Sequence, residues 1–409
     1  MLKNNTKVHK VVIIGHGFTS RLCVIRSVAQ LGCDITVIVI TGKNKNGTLN
    51  TKKPIDCYSK YVNRVLFCEY NASSLIRLLL SECVDSNQKV VLFPDSDFAV
   101  VAIDSNQGLL NDYFLFPYVK KERGTIVDWM NKEKQKKLAY SIGLNVVKSK
   151  NIEIKNKHYL IPSGIDYPCF TKTKTFLLSN KQTLKRCDNE IELREFVKDL
   201  GIRFDLTLIV EDYKEIETEY AVVGFSDGTQ VVIPGVVKIL TMAHGNHFGV
   251  ACKGEVMPIY GFEELISKFK NYILEVGYVG IFDIDFYNSG GDFYFGEMNL
   301  RIGGSCCALT KMGVNLPGMM VKSICGEKVN DMPQEIKDSA IFVNERMCLD
   351  DWYFRYISTS NYFEMVRSAD ISFIKDDKDP APYKAYISEF KKRRIKRVLK
   401  KILLRNKVH

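Results

Sequence analysis

The sequence predicts an α/β fold in which a parallel-sheet domain precedes a region of antiparallel strands and helices. The first observation is a βαβ pattern, in which the apolar strand 10–15 is followed by a helical stretch, 19–31, and a second apolar strand, 34–40. The second is a series of alternating apolar and polar segments between residues 220 and 300, separated by short turns. A doubly wound parallel sheet followed by smaller α+β lobes accounts for both observations.

Length and composition are typical of a globular chain with several domains. The 409 residues are 46% hydrophobic, which is enough for a large core, and the length predicts two or three domains. Twelve cysteines are scattered without a Cys-x-x-Cys pair, so neither a zinc site nor a disulfide framework is indicated, and a reducing, cytoplasmic setting is expected. No apolar run reaches the roughly 18 residues that span a bilayer, and the polar start argues against a signal peptide.

The net charge of +11 is concentrated in a C-terminal tail, residues 391–407, which contains ten Lys or Arg and no acid. The rest of the chain is therefore close to neutral. Apolar residues recur in this tail at helical spacing, which predicts an amphipathic helix; they are Ile395, Val398, Leu399, Ile402 and Leu403. Such a helix can bind an anionic membrane, with each basic residue contributing about 1 kcal/mol near the surface. A solubilising terminal helix is the second interpretation, and RNA binding is the least favoured.

The glycine turn after the first strand has two interpretations. Gly15-x-Gly17 could bring the backbone close to a phosphate at a helix N-terminus. However, Ser20 replaces the third glycine of a dinucleotide fingerprint, and Thr41 stands where a ribose-binding acid is expected. A tight turn that contacts the acceptor substrate is therefore favoured over a nicotinamide site.

A third buried strand, 89–93, ends in Pro94-Asp95-Ser96-Asp97. Ligands of doubly wound sheets bind beyond the carboxyl ends of the strands, so Asp95 and Asp97 could meet a substrate such as an amino group. Helix N-capping by one of these acids is the favoured alternative.

Periodicity predicts the remaining elements. Helices are expected over 73–83, 128–144, 190–200 and 261–277, and strands over 207–210, 220–225 and 230–240, with a loop over 42–60.

The most informative stretch is 280–305, which is predicted to form a β-hairpin with its turn at 288–291. Asp285 and Glu297 would lie near the facing ends of the two strands. Asn299 leaves the same face as Glu297, and Arg301 would join them if the strand continues. Two carboxylates and an amide oxygen suit Mg²⁺, while an arginine supplies a donor fork for phosphate or carboxylate. An ordinary hairpin with exposed acids is the alternative.

These residues resemble the metal- and phosphate-binding signature of the ATP-grasp superfamily. The resemblance lies in Asp285 and in the run Gly296-Glu297-Met298-Asn299-Leu300-Arg301, followed by Gly303-Gly304. It implies ATP and Mg²⁺ (or Mn²⁺) as cofactors, with Asp285, Glu297 and Asn299 as metal ligands. Arg301 would steady an acyl-phosphate intermediate.

The same resemblance assigns residues upstream of the hairpin. Lys132, in a stretch similar to the helix that opens the nucleotide domain, would reach the ATP phosphates, and Lys172 would grip the α- and β-phosphates. The run Glu211-Asp212-Tyr213 resembles the hinge that receives adenine, and Glu219 would bind ribose. The chain departs from the family pattern after Lys172, because 173–189 contains no glycine where a glycine-rich cover is usual.

The chain is expected to divide into four parts. A Rossmann-like domain, 1–124, would precede a two-lobed ATP-grasp domain, 125–330; a C-terminal extension, 331–388, and a basic amphipathic tail, 389–409, would follow. The extension bears a loose resemblance to ATP-grasp proteins of bacterial surface-polysaccharide synthesis.

The expected activity is a Mg-ATP-dependent ligase that activates a carboxylate as an acyl phosphate and joins it to an amine. The expected partners are a small-molecule or glycan-linked carboxylate, an amine and an anionic membrane surface. A cytoplasmic protein peripheral to the inner face of the membrane is expected, with polysaccharide synthesis as its setting. Two rivals are a non-catalytic nucleotide-binding or scaffold protein of the same fold, which the glycine-free loop favours, and a nicotinamide oxidoreductase.

Overall fold

The computed structural model describes residues 8–16, 18–120, 125–173, 183–201, 204–245 and 249–405, with side chains described as far as residue 397. Three β-sheets organise this part of the chain. None of its helices is both long enough and apolar enough to cross a membrane.

The N-terminal region forms a parallel five-stranded sheet, as the βαβ pattern predicts. Its elements are β1 (Lys10–Gly15), α1 (Phe18–Ala29), β2 (Asp34–Thr41), β3 (Arg64–Glu69), α2 (Ala72–Glu82), β4 (Val90–Pro94), α3 (Asp97–Asp104), α4 (Gln107–Leu110) and β5 (Phe114–Leu115). The strand order is β3-β2-β1-β4-β5, and all the pairings are parallel. The order reverses between β1 and β4, so the loops after these two strands flank the switch point of the sheet.

The acids that follow β4 do not cap α3, so that interpretation was wrong. Ser96 is the N-cap, and its side chain accepts a hydrogen bond from the N–H of Ala99. The carboxylate of Asp95 turns inward against Gly15, where a Cβ atom would lie only 1.3 Å from Asp95 Oδ1. Glycine at position 15 is thus explained by the packing of this carboxylate. Gly17 lies outside the described residues.

The second sheet is antiparallel and follows two short helices. After β6 (Tyr118–Val119), the chain forms α5 (Thr125–Trp129), α6 (Lys132–Ser141), β7 (Ser149–Lys155), β8 (His158–Tyr159), β9 (Cys169–Thr173), β10 (Lys185–Cys187), α7 (Glu190–Gly201) and β11 (Leu206–Asp212). The sheet order is β10-β9-β11-β7-β8. One continuous helix over 128–144 was predicted, but Asn131 interrupts it: its backbone is extended, and its side chain accepts hydrogen bonds from the N–H groups of Glu133 and Lys134.

The third sheet contains the predicted hairpin. Its region comprises β12 (Thr218–Asp227), β13 (Val231–Val232), β14 (Val236–Met242), β15 (Ala251–Met257), α8 (Glu263–Val276), β16 (Tyr278–Ser289), β17 (Asp292–Asn299), α9 (Cys306–Lys311), α10 (Leu316–Ile324), β18 (Ala340–Val343), α11 (Glu345–Tyr353), α12 (Thr359–Arg367), β19 (Ile371–Ser372) and α13 (Ala381–Arg405). The strands follow the order β17-β16-β12-β14-β15-β18-β19, with β13 paired to β12 and β6 paired to β16.

One predicted strand of this sheet is divided in two. The expected strand 230–240 is broken between β13 and β14 at Pro234-Gly235. Proline cannot donate a ladder hydrogen bond, and a Cβ atom at Gly235 would lie 2.5 Å from the carbonyl oxygen of Met257.

The C-terminal extension packs against both the third sheet and the N-terminal region. β18 and β19 extend the third sheet, and Arg26 of α1 reaches the same region. The buried Arg26 Nε donates to Asp379 Oδ2 at 3.0 Å, and its Nη atoms donate to the carbonyl oxygens of Phe373 and Ile374. The predicted tail boundary at residue 389 falls inside the continuous helix α13. The division into four domains stays a prediction.

The first prediction concerns pH and stability. Burial raises the pKa of Asp95 to about 7, from an ordinary value near 3.8. The folded state therefore holds a proton that the unfolded state has released, so this group makes the protein less stable as pH rises from about 4 to 7. Asp95→Asn removes that penalty. The free energy of unfolding of Asp95→Asn, minus that of the natural protein, should increase by roughly 3–4 kcal/mol between about pH 4 and pH 7 and stay constant at higher pH.

Urea unfolding at a series of pH values measures this difference. Asp112→Asn, which removes an exposed carboxylate, is the control for the loss of one acidic side chain. A pH-independent difference for Asp95→Asn would contradict the inference.

Candidate active site

A cavity of about 460 Å³ lies on one face of the third sheet. It crosses the sheet from β17 to β18, and several predicted site residues line it. These are Lys172, Glu219, Asp285, Glu297, Asn299 and Arg301. The fold therefore brings together predicted residues that lie far apart in the sequence, with 129 positions between Lys172 and Arg301.

The acids on β16 and β17 face this cavity because of the strand register. Asp285 pairs with Glu297, and Asp283 pairs with Asn299. A bulge at Gly296 leaves that residue unpaired, since the next pair is Phe286 with Phe295. Asp283 was missed by the sequence prediction. It stands two positions before Asp285, and strand alternation therefore places both on one face.

These carboxylates crowd one another. Burial raises the pKa of Asp283 to about 7. Burial, together with the charges of Asp283 and Glu297, also raises the pKa of Asp285 well above its ordinary value. For Glu297, burial opposes ionisation, but Lys132 lies 2.5 Å away and the net effect lowers its pKa. The site thus concentrates negative charge that a bound cation would relieve.

The donor set fits a hard divalent cation. Asp283 Oδ1 is buried and has no hydrogen-bond partner among the described residues, and Asn299 Nδ2 lies 3.4 Å from Asp285 Oδ2. Within the same residues, no three acids, histidines or cysteines form a preformed metal cage. Two carboxylates and an amide would supply only part of the coordination of the cation, and phosphate oxygens and water would supply the rest. A preformed cage of protein ligands is therefore not required.

Helix α6 is fixed to β17 through one side chain. Gln135 Oε1 accepts the N–H of Met298 at 2.9 Å, and its Nε2 donates to the carbonyl oxygens of Met298 and Trp129 at 2.8 and 2.7 Å. Gln135 is buried. It fixes the first turn of α6, where Lys132 stands, beside Glu297 on the edge strand.

A buried ion-pair cluster joins α6 to the second sheet. Glu211 Oε1 contacts the amines of both Lys136 and Lys172, the latter at 2.7 Å. Burial opposes ionisation of Glu211, but the two lysines lower its pKa on balance, whereas burial lowers the pKa of Lys136. Lys136 was not predicted. Its spacing of four from Lys132, on one helix face, was the available signal.

The other hinge residues lie at the end of β11. The N–H groups of Asp212 and Tyr213 bond the carbonyl oxygens of Lys148 and Pro168, at 3.1 and 2.9 Å. The guanidinium of Arg186 stacks 4.3 Å from the ring centre of Tyr213. Four of the predicted site residues, Lys132, Glu211, Asp212 and Tyr213, are not among those that line the cavity. Glu219 does line it, and burial raises the pKa of its carboxyl group.

Arg301 lines the cavity together with Glu297 and Asn299, although it lies beyond the end of β17. β17 ends at Asn299, so the strand does not continue to Arg301. Its guanidinium turns to the N-terminal sheet, where Nε donates to Asp97 Oδ1 at 2.6 Å. It also approaches Asn299 Oδ1 at 3.5 Å. Asp97 therefore ties the switch point of the first sheet to the carboxylates of the third.

Sequence reasoning missed the end of the cavity built by the C-terminal extension. Phe342, Asn344 and Phe373 line it, together with Ile239 and Met242 of β14. No motif signalled these residues, since they meet only when β18 and β19 join the sheet. Most of the glycine-free stretch expected to cover the phosphates, residues 174–182, lies outside the described residues.

Comparison with known sequences gives a partial match, and no protein-family model matches the chain. A relative is the carbamoyl phosphate synthase large chain of Methanocorpusculum labreanum, which is 28% identical over 189 residues. The alignment covers 44% of this chain and only 17% of the relative.

Comparison with solved structures extends over most of the chain. The biotin carboxylase of Campylobacter jejuni, in a complex with β,γ-ATP, superposes with a TM-score of 0.61 at 16% identity, covering 82% of this chain and 75% of that one. An L-amino acid ligase from Bacillus licheniformis gives a TM-score of 0.60 at 15% identity, covering 81% and 80%. The chain therefore has the ATP-grasp fold, and it resembles the carboxylate–amine ligases built on that fold.

Proposed function

We propose that this protein is an ATP- and Mg²⁺-dependent ligase that joins a carboxylate to an amine. The observation that carries the proposal is the single cavity in which the predicted lysine, carboxylates, amide and arginine meet. The ligases of similar fold support the reaction class. A non-catalytic protein of the same fold remains the rival, and it would show no substrate-stimulated ADP release.

The residues divide into three groups by role. Lys132 and Lys172 would leave their acid partners, Glu297 and Glu211, for phosphate oxygens, because Lys172 lines the cavity and Lys132 contacts Glu297, which lines it. Glu211, Asp212, Tyr213 and Glu219 would hold the nucleoside, with Lys136 balancing the charge of Glu211. Asp285, Glu297 and Asn299 would hold the metal. Bound Mg-ATP would supply the phosphoryl group that turns the carboxylate into an acyl phosphate.

Arg301 would act on the reacting groups themselves. Burial opposes its charge, but Asp97 raises its pKa, so the guanidinium stays ionised. A fixed cation here would stabilise negative charge on the acyl phosphate while the amine displaces phosphate. Asp97 would be a positioning residue, because its carboxylate accepts hydrogen bonds from the guanidinium group of Arg301 and fixes that group at the cavity.

The second prediction tests the metal ligands. Asp285→Asn and Glu297→Gln should each lower substrate-stimulated ADP release by about two to three orders of magnitude, because each removes a charge that binds the cation. The assay is a screen with Mg-ATP against panels of carboxylates and amines. Asp292→Asn, at the exposed first residue of β17, should leave the rate unchanged. Full turnover by a folded Asp285→Asn protein would overturn the metal assignment.

The third prediction tests the connection between α6 and β17. Gln135→Leu leaves the N–H and carbonyl of Met298 without their side-chain partner. We expect a loss of about 1–3 kcal/mol in the free energy of unfolding and a weaker affinity for Mg-ATP, because Lys132 loses its fixed position. Gln230→Leu, in an exposed turn, is the control for both urea unfolding and nucleotide titration. An unchanged nucleotide affinity would argue against this role.

We also propose that α13 brings the enzyme to an anionic membrane surface, where it would act on a glycan-linked substrate in polysaccharide synthesis. Two basic residues of the tail are engaged by the protein itself. Arg393 pairs with Glu389 and Asp350, and Arg397 donates to the carbonyl oxygen of Trp352 at 2.6 Å. Exposed residues nearby combine positive charge with one apolar side chain; they are Lys391, Lys392, Arg394, Ile395 and Lys396.

The fourth prediction tests this surface. Replacing Lys391, Lys392 and Arg394 by Glu should weaken sedimentation with phosphatidylglycerol vesicles at least about tenfold, since each basic residue contributes about 1 kcal/mol. The same change at Lys148, Lys198 and Lys337, all exposed elsewhere, alters net charge equally and should have little effect. Equal loss in both triple variants would mean that net charge, and not α13, drives binding.

A further inference from the structure

A second cavity, of about 480 Å³, lies between α11, α13 and the segment that joins β2 to β3. It shares no lining residue with the candidate active site. Five of its lining side chains are basic and two are acidic, so we call it the basic pocket. The basic side chains are Lys52, Arg346, Lys392, Arg393 and Lys396.

Helical spacing explains why these side chains meet. The lining positions are 346, 350 and 353 on α11, and 389, 392, 393 and 396 on α13. Residues three or four positions apart lie on one face of a helix, so each helix turns one face to the pocket. Lys52 is added by the N-terminal region. The pocket therefore exists only where three separate parts of the chain pack together.

The two acids of the pocket are already paired with two of its cations. Arg346 contacts Asp350 Oδ2 at 3.2 Å and Glu389 Oε1 at 2.7 Å. Arg393 contacts the same two carboxylates, with its Nη2 2.6 Å from Glu389 Oε1. Burial opposes the ionisation of Glu389, but the two arginines lower its pKa on balance. Two arginines and two carboxylates thus cancel in charge and fix α13 against α11.

Three lysines of the pocket are left over by this network. Where side chains are described, Lys52, Lys392 and Lys396 make no ion pair. All three are exposed, and their formal charges give the pocket an excess of three positive charges. A concave site lined by one sign of charge concentrates ions of the opposite sign. The pocket is therefore suited to an anion that carries more than one charge.

The number of amines favours a phosphate group over a carboxylate. A phosphomonoester carries about −1.5 to −2 charges near neutral pH and has three strong acceptor oxygens, whereas a carboxylate has one charge and two oxygens. Lysine is a common phosphate ligand and donates up to three hydrogen bonds. Phe354 also lines the pocket and is 60% exposed, so it offers apolar surface to the organic part of a phosphate ester.

We propose that the basic pocket binds the terminal phosphate or diphosphate group of an organic ester. Lys52, Lys392 and Lys396 contact the phosphate oxygens, and the paired arginines and acids form the framework that holds these lysines together. The inference goes beyond the ligase reaction and beyond the contact of α13 with a membrane. The site includes a lysine from the N-terminal region, and it selects a ligand by its terminal phosphate and not by surface charge alone.

Inorganic pyrophosphate is the first probe, titrated by calorimetry into the full chain. EDTA is present, so that no divalent cation can bridge pyrophosphate to the acids of the candidate active site. The lining variant carries Lys52→Gln, Lys392→Gln and Lys396→Gln. The matched variant removes the same charge at exposed sequence neighbours that do not line the pocket, through Lys53→Gln, Lys391→Gln and Arg394→Gln.

The lining variant should bind pyrophosphate at least about tenfold more weakly than the natural protein, as three charge-assisted contacts together predict. The matched variant should stay within about threefold, because salt screens charges that do not touch the ligand. Urea unfolding checks that both variants are folded. Equal weakening in both, displacement of pyrophosphate by acetate at the same ionic strength, or no binding by the natural protein would each overturn the proposal. The assay contains no nucleotide, so its outcome is independent of the ligase assignment.

Two further probes separate a lipid headgroup from a soluble ester. Glycerol 3-phosphate carries the phosphomonoester in solution, and phosphatidic acid carries it on vesicles, which are compared with phosphatidylglycerol vesicles of equal surface charge. For a lipid, the natural protein and the matched variant should prefer phosphatidic acid at least about threefold, and the lining variant should lose this preference. For a soluble ester, only the lining variant should lose affinity for glycerol 3-phosphate, without a preference between vesicles. Either result supports the phosphate site, and two variants that behave alike with both probes would overturn it.

Discussion

The candidate site depends on how Gln135 binds the open edge of the third sheet. β17 is an edge strand, and its outward backbone groups at Met298 have no neighbouring strand. The amide of Gln135 takes the place of that strand by donating to the carbonyl oxygen and accepting from the N–H. One side chain thereby fixes α6, and the lysines one turn apart on this helix come to lie against Glu297 and Glu211. Without this docking, Lys132 on α6 would lose its fixed position beside Glu297 on β17.

Charge balance is the second organising feature. The cations of the site each contact an acid, since Lys132 meets Glu297, Lys172 meets Glu211 and Arg301 meets Asp97. Asp283 and Asp285 lie among them with raised pKa values, because burial and mutual repulsion outweigh the available positive charge. In the proposed function, phosphate oxygens would replace the acids as partners of Lys132 and Lys172, and a cation would bind Asp285, Glu297 and Asn299. The contact with Asp97 also ties the N-terminal region to Arg301 at the cavity wall.

The C-terminal extension gives the cavity its second end. β18 and β19 lengthen the sheet, and Arg26 holds the segment after β19 against α1 through a buried ion pair and three hydrogen bonds to carbonyl oxygens. The nucleotide end and the far end of the cavity are thus built by different parts of the chain.

The sequence by itself determined the local elements, the hairpin and the pairing of Asp285 with Glu297, because strand alternation and residue spacing act over short distances. It also implied the ATP-grasp fold through residue types in a specific order. It could not place Asn131 as a helix break, or turn Arg301 towards Asp97, because tertiary contacts decide both. Tertiary structure alone brought Lys136 to Glu211 and Asn344 to the cavity wall. Those groups come from elements far apart in the chain, and only the packing of sheets and helices brings them within contact distance.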